Sequence, residues 1–169
     1  VLAAYMNYKL GGEGRGYFNT PGVLMANAAI HAWGGAHLEL GEHMLTTEYF
    51  PNSNLAMKGE LKKAMVTYYD FITGYENLLR DGGEFYGVTA SSTDGKMTVN
   101  QWPPVRNQIA TIGKRFDCRD VIHFLNYTNA VHLDWCDSNG TQAEPSLIES
   151  AQTKVSVKGM VRTVWVASP

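Results

Sequence analysis

Gly34-Gly35-Ala36-His37-Leu38-Glu39-Leu40-Gly41-Glu42-His43-Met44 is the stretch on which the front half turns. Apolar residues alternate with His, Glu, Glu and His, and glycines bracket the run. Successive side chains of a strand point to opposite faces. A strand over 36–40 therefore sends Ala36, Leu38 and Leu40 to one face and His37 and Glu39 to the other. Before it, Thr20-Pro21 marks a helix start, with Thr as cap and Pro in the first turn. The following GVLMANAAIHAW is apolar all round, which predicts a helix packed on more than one side. Gly34-Gly35 ends it.

Outward from there, residues 1–8 are apolar and aromatic and read as another strand, followed by a glycine-rich turn. Downstream, GEHMLTTEYFPNSN leads to a second helix capped by Asn54 or Ser53. Its buried face is marked by Leu61, Met65, Tyr68, Ile72, Tyr75 and Leu79 at steps of three and four. Strand, helix, strand, helix with short connections implies parallel strands with crossovers. Two such units cannot cover both faces of a sheet. No glycine-rich phosphate fingerprint follows either strand. The expected fold is α/β in the front half, a partial TIM-type (β/α)8 barrel, followed by an all-β antiparallel C-terminal domain. After Gly83 short strand-like runs alternate with turn signals such as Asp94-Gly95 and Asn139-Gly140, and KVSVKGMVRTVWV reads as a hairpin.

Composition bounds the function. The 169 residues carry a formal net charge of −2, which suggests neither nucleic acid nor an anionic membrane as partner. No run approaches the ~18 uninterrupted apolar residues of a membrane span. Four Trp and nine Tyr suit a surface that stacks on ring-shaped ligands, or an ordinary aromatic core. Two cysteines, Cys118 and Cys136, are too few for a disulfide scaffold. The chain opens and closes in strand-like sequence and is expected to be a piece of something larger.

In a barrel, functional side chains gather at the C-terminal ends of strands. Glu39 is then the last inward residue before Gly41, Asn7 emerges at the end of the first strand, and Glu42, His43 and Tyr49 roof the site. A carboxyl held there suits general acid work, because partial burial raises its pKa toward neutrality. The bland alternative is a structural acid paired with a neighbouring base. HLELGEH is not HExxH, so metal binding is the weaker reading, and no GxSxG supports a serine nucleophile. No cofactor is expected.

AYMNYKLG, the long run from Gly16 to Gly83, VIHFLNY and LDWCDSNGTQAEP resemble glycoside hydrolase family 66, the endo-dextranases and cycloisomaltooligosaccharide glucanotransferases. The resemblance implies a (β/α)8 barrel followed by an antiparallel β-domain. It implies cleavage of α-1,6-glucosidic links of dextran with retention, by an Asp nucleophile and a Glu acid/base. The Glu is placed on Glu39, with Glu42 in reserve. The Asp lies about two barrel strands earlier, hence before Val1, so the chain is expected to be incomplete alone and to partner the N-terminal remainder of the same enzyme. Residues 1–85 would be the C-terminal part of the barrel, and 86–169 the last barrel connection and the β-domain. Asn7, His37, Glu42 and Asn126 are candidates for bonds to sugar hydroxyls, and Tyr49 and Trp102 for stacking on glucose. The expected partner is dextran or an isomaltooligosaccharide, with no nucleic acid and no membrane. The transferases carry a module inserted after the acid/base, and EFYGVTASSTDGKMTVNQWPPVRNQ has no room for one, which favours dextranase over transferase. A secreted or cell-surface enzyme follows from the substrate. A non-catalytic carbohydrate-binding fragment is the alternative of a different class.

Overall fold

The computed structural model describes residues 5–38 and 54–169. In chain order these form α1 (Tyr8–Glu13), β1 (Gly16–Tyr17), α2 (Thr20–Ala32), β2 (Leu55–Ala56), α3 (Gly59–Leu79), β3 (Glu84–Tyr86), β4 (Thr89–Ser92), β5 (Val99–Gln101), β6 (Ile109–Arg115), β7 (Asp120–Asn126) and β8 (Thr153–Ser156).

Helix α2 follows its local chemistry closely. Asn19, one residue before the expected Thr20, is the cap: its Oδ1 accepts from Gly22 N at 2.8 Å, and Pro21 occupies the first turn. None of residues 20–32 is fully exposed, as an all-round apolar helix requires. At its end Trp33 N donates to Ala29 O, Gly34 N to His31 O and Gly35 N to Ile30 O. Gly34 takes φ 73°, the left-handed conformation that glycine enters without a Cβ penalty.

The barrel expectation is overturned. Where a strand was expected over 1–8, Asn7 adopts a left-handed conformation (φ 50°, ψ 37°) and opens helix α1. Residues 1–4 lie outside the described residues. The first-turn donors Lys9 N and Leu10 N both bond to Ser138 O, at 2.9 and 3.3 Å, so this backbone is claimed by a distant loop rather than by a parallel neighbour. Residues 36–38 form no strand either. His37 is drawn back onto α2, its Nδ1 donating to Asn27 Oδ1 at 2.5 Å. The parallel pairing left in the described front half is β1 with β2, two residues each. Two strands of two residues make no half of a barrel, and the described architecture is mostly sheet, with three helices.

Helix α3 starts at Gly59 after Lys58, with no side-chain cap, later than Ser53 or Asn54 would have set it. Leu61, Met65 and Leu79 of its stripe are buried. The stripe fails at Tyr75, whose non-helical φ of −117° kinks the helix and leaves the ring exposed. Lys114 ends the helix from across the sheet: its Nζ donates to Leu79 O and Arg80 O, both at 3.0 Å, which satisfies carbonyls that a helix end leaves orphaned.

The main sheet is built on β6. One edge pairs antiparallel with β7 along its whole length. The other is shared by β3, antiparallel, and β5, parallel. β8 pairs antiparallel with β4, not with 161–166, so the expected terminal hairpin does not form. Asp94 pins that arrangement, its Oδ2 accepting from Gln152 N at 3.0 Å. VHLDW at 131–135 and RTVWVAS at 162–168, two of the strand-like runs after Gly83, are not strands. Met6, Phe18, Val23, Ala26, Leu55, Leu61 and Met65 form one core between the helices, and Ala110, Tyr127 and Ala130 centre a second against the sheet.

Candidate functional site

Among the described residues, Asn7 and Asp137 sit at the centre of a densely connected polar cluster. Both are buried. Asn7 Nδ2 donates to Asp137 O at 2.7 Å, and its Oδ1 accepts from Asn19 N at 2.8 Å. Asn19 in turn donates from Nδ2 to Gly140 O and Gln142 O. The Asp137 carboxylate accepts from His132 Nε2 at 2.9 Å, Thr141 N at 2.9 Å and Gln142 N at 3.1 Å. His132 Nδ1 accepts from Asp134 N at 3.2 Å, so the ring's proton is on Nε2 and points at Asp137. The carboxylate also lies against the first turn of α2: a Cβ on Gly22 would stand 2.2 Å from Asp137 Oδ2. The partial positive charge of a helix N-terminus favours a carboxylate there. Sequence reading noted Asn139-Gly140 as a turn but not the acid at its head. The turn closes as read, with Gly140 N donating to Asp137 O at 2.9 Å.

Asn126 stands at the end of β7 and serves the protein in the same way. Its Nδ2 donates to Ser146 O at 3.0 Å, and its Oδ1 accepts from Thr128 N and Thr128 Oγ1. His37 is half-buried on α2 beside Asn27, whose Nδ2 faces Met65 Sδ at 3.5 Å. Trp102 follows β5 and meets Trp33 edge-on at 5.8 Å and Tyr127 at 6.4 Å. Burial pushes the Tyr127 hydroxyl up to about 12. The structure thus gathers Asn7 with the loop around Asp137 and Trp102 with Trp33, and gives Asn7 and Asn126 protein partners for their amides. Glu39, Glu42, His43 and Tyr49 lie outside the described residues. The expected alternation cannot be carried from Leu38 to Glu39, because 36–38 are not strand.

Comparison with known proteins supplies what this geometry leaves open. The chain is 31% identical over 166 residues to a cycloisomaltooligosaccharide glucanotransferase of Niallia circulans, a match covering 91% of this chain and 16% of that protein. It is 22% identical over 169 residues to a dextranase of Streptococcus salivarius, with 87% of this chain and 20% of that protein covered. Among solved structures, a Paenibacillus sp. cycloisomaltooligosaccharide glucanotransferase complexed with cycloisomaltoheptaose matches with a TM-score of 0.76 and 32% identity, over 87% of this chain and 21% of that one. The chain therefore spans about a sixth to a fifth of the length of these relatives. The model of glycosyl hydrolase family 66 matches residues 1–169, and the chain belongs to that family.

Proposed function

We propose that the enzyme containing this chain cleaves internal α-1,6-glucosidic bonds of dextran by a retaining double displacement. The observation that carries the reading is the match of all 169 residues to one glycoside hydrolase family, with relatives named for dextran and cyclic isomaltooligosaccharides. In the first step an acid protonates the glycosidic oxygen while a carboxylate attacks the anomeric carbon. In the second, the same residue, now a base, takes a proton from the incoming acceptor as it displaces the carboxylate. Glu39 is the proposed acid/base, with Glu42 in reserve, and the attacking Asp comes from the remainder of the enzyme outside these residues. His37, Glu42, Tyr49 and Trp102 are proposed to contact the sugar. Asn7 and Asn126, whose amides are engaged by protein, act through the loops they hold. A polymer substrate outside the cell places the enzyme there or at the cell surface.

A second reading differs only in the acceptor. If the glucan's own terminal 6-hydroxyl attacks the glycosyl-enzyme, the product is a ring and no water is consumed. Identities of 31–32% to two transferases, against 22% to a dextranase, favour it. Shortness between Gly83 and Ile109 does not separate the two activities, since the 166-residue match to a transferase leaves no module-sized insertion in the matched stretch. The test is mass spectrometry of products from dextran. Linear oligosaccharides support hydrolysis, and products lighter by one water support cyclisation. An enzyme that leaves dextran intact refutes both.

A further inference from the structure

Three aromatic rings from three separate elements meet at one place on the surface. Trp33 ends α2, Phe85 lies in β3 and Trp102 follows β5. Trp33 stands between the other two, 4.9 Å from Phe85 at an interplanar angle of 49°, and 5.8 Å from Trp102 at 79°. The contacts are fixed from behind. Buried Lys114 lies 5.5 Å from the Phe85 ring centre, and Trp102 rests on buried Tyr127. Even so, Trp33 remains 41% exposed and Phe85 43% exposed.

We propose that Trp33 and Phe85 extend Trp102 into a strip that binds an α-1,6-linked glucan chain. The inference rests on the α-glucan reading above and adds two ring positions to it. The C–H face of a glucopyranose is apolar and packs on an aromatic ring, while its hydroxyls stay in water at the edges. An α-1,6 link has three rotatable bonds, so successive glucoses can tilt to follow rings that are not coplanar. A flat crystalline glycan could not follow rings inclined at 49° and 79°. The alternative occupant is another part of the same enzyme, since aromatic residues also centre protein interfaces. A leucine separates the two, because it keeps apolar contact with protein but offers no ring to a sugar.

The experiment is affinity electrophoresis of the full-length enzyme in gels with and without dextran, together with melting curves. Trp33→Leu and Phe85→Leu should each weaken the dextran Kd about two- to tenfold, and Trp33→Tyr should bind like the parent. Leucine variants that bind dextran as tightly as the parent overturn the strip, and if they also melt earlier the rings pack on protein instead. A parent that neither cleaves nor binds dextran sinks the α-glucan reading itself, a pattern distinct from the first. Should Trp33→Leu fail to fold, oxidation of the parent by N-bromosuccinimide, read by peptide mass, decides the matter. Dextran should slow oxidation of Trp33, and an unchanged rate overturns the proposal.

Discussion

Gly22→Ala is the sharpest test of the Asp137 cluster. In an ordinary helix this change stabilises by up to about 1 kcal/mol, because alanine has less backbone freedom to lose. Here the new Cβ would stand 2.2 Å from Asp137 Oδ2 and 2.9 Å from its Cγ. The carboxylate must retreat by roughly 1 Å to reach ordinary contact. It is held by His132 and the amides of Thr141 and Gln142, and hydrogen bonds to a charged group are worth about 1.5–3 kcal/mol each. Giving up one of them outweighs the helix gain, so a net loss of about 1–2 kcal/mol is expected, or ~2–8 °C in melting temperature. Urea and thermal melts measure the loss, and hydrogen exchange at the Gln142 amide should rise with it. In an Asp137→Ala background the obstruction is gone, and adding Gly22→Ala should cost nothing or stabilise. A neutral or stabilising Gly22→Ala in the parent, or an equal cost in both backgrounds, would show that the two sites do not touch as described.

Lys114→Met should destabilise by about 2–4 kcal/mol in urea melts, because two carbonyls at the end of α3 lose their donor; a change below 0.5 kcal/mol refutes the capping role. Burial, with a smaller contribution from Lys114, lowers the His123 pKa from 6.5 to about 4. The unfolded chain therefore takes up the proton first as pH falls. Stability from this residue is complete above pH 6.5 and declines by up to about 3 kcal/mol toward pH 4, and His123→Leu should flatten that slope in urea midpoints taken at pH 7 and 4.5. In the full-length enzyme, Glu39→Gln should slow dextran cleavage by roughly 10²–10⁴-fold, lose far less on substrates with an activated leaving group, and recover turnover with azide; Glu42→Gln should raise KM instead. The reverse pattern would make Glu42 the acid/base.

Where neighbours in sequence decide the structure, the sequence was readable. Thr20-Pro21 and Gly34-Gly35 bracket α2 within one residue, and Asn139-Gly140 turns as its composition requires. The stripe on α3 was legible up to Tyr75, where a kink breaks the period. What failed was decided by partners far away. Residues 1–8 are apolar enough for a strand, but Asn7 bonds to a residue 130 positions on, and Ser138 takes the amides of Lys9 and Leu10 just after it. β8 chose β4 over the adjacent 161–166, a pairing that alternation alone cannot distinguish. For the site, residue types pointed to sugar chemistry, while the family came from long matched runs such as that from Gly16 to Gly83. Trp33 and Phe85 carry no local signal, since only the packing of α2 on β3 and the end of β5 brings them to Trp102.

The tie between Gly22 and Asp137 also bears on how such enzymes can be recombined. Each position constrains the other across more than a hundred residues: an acid at 137 in this conformation admits no side chain at 22, and Asn7 and Asn19 add two more links over the same span. A chimera joined anywhere between α3 and β7 takes one member of each pair from each parent. Such hybrids should lose stability when the parent supplying position 137 brings the acid and the parent supplying position 22 lacks the glycine, whatever the similarity of the sequences at the junction.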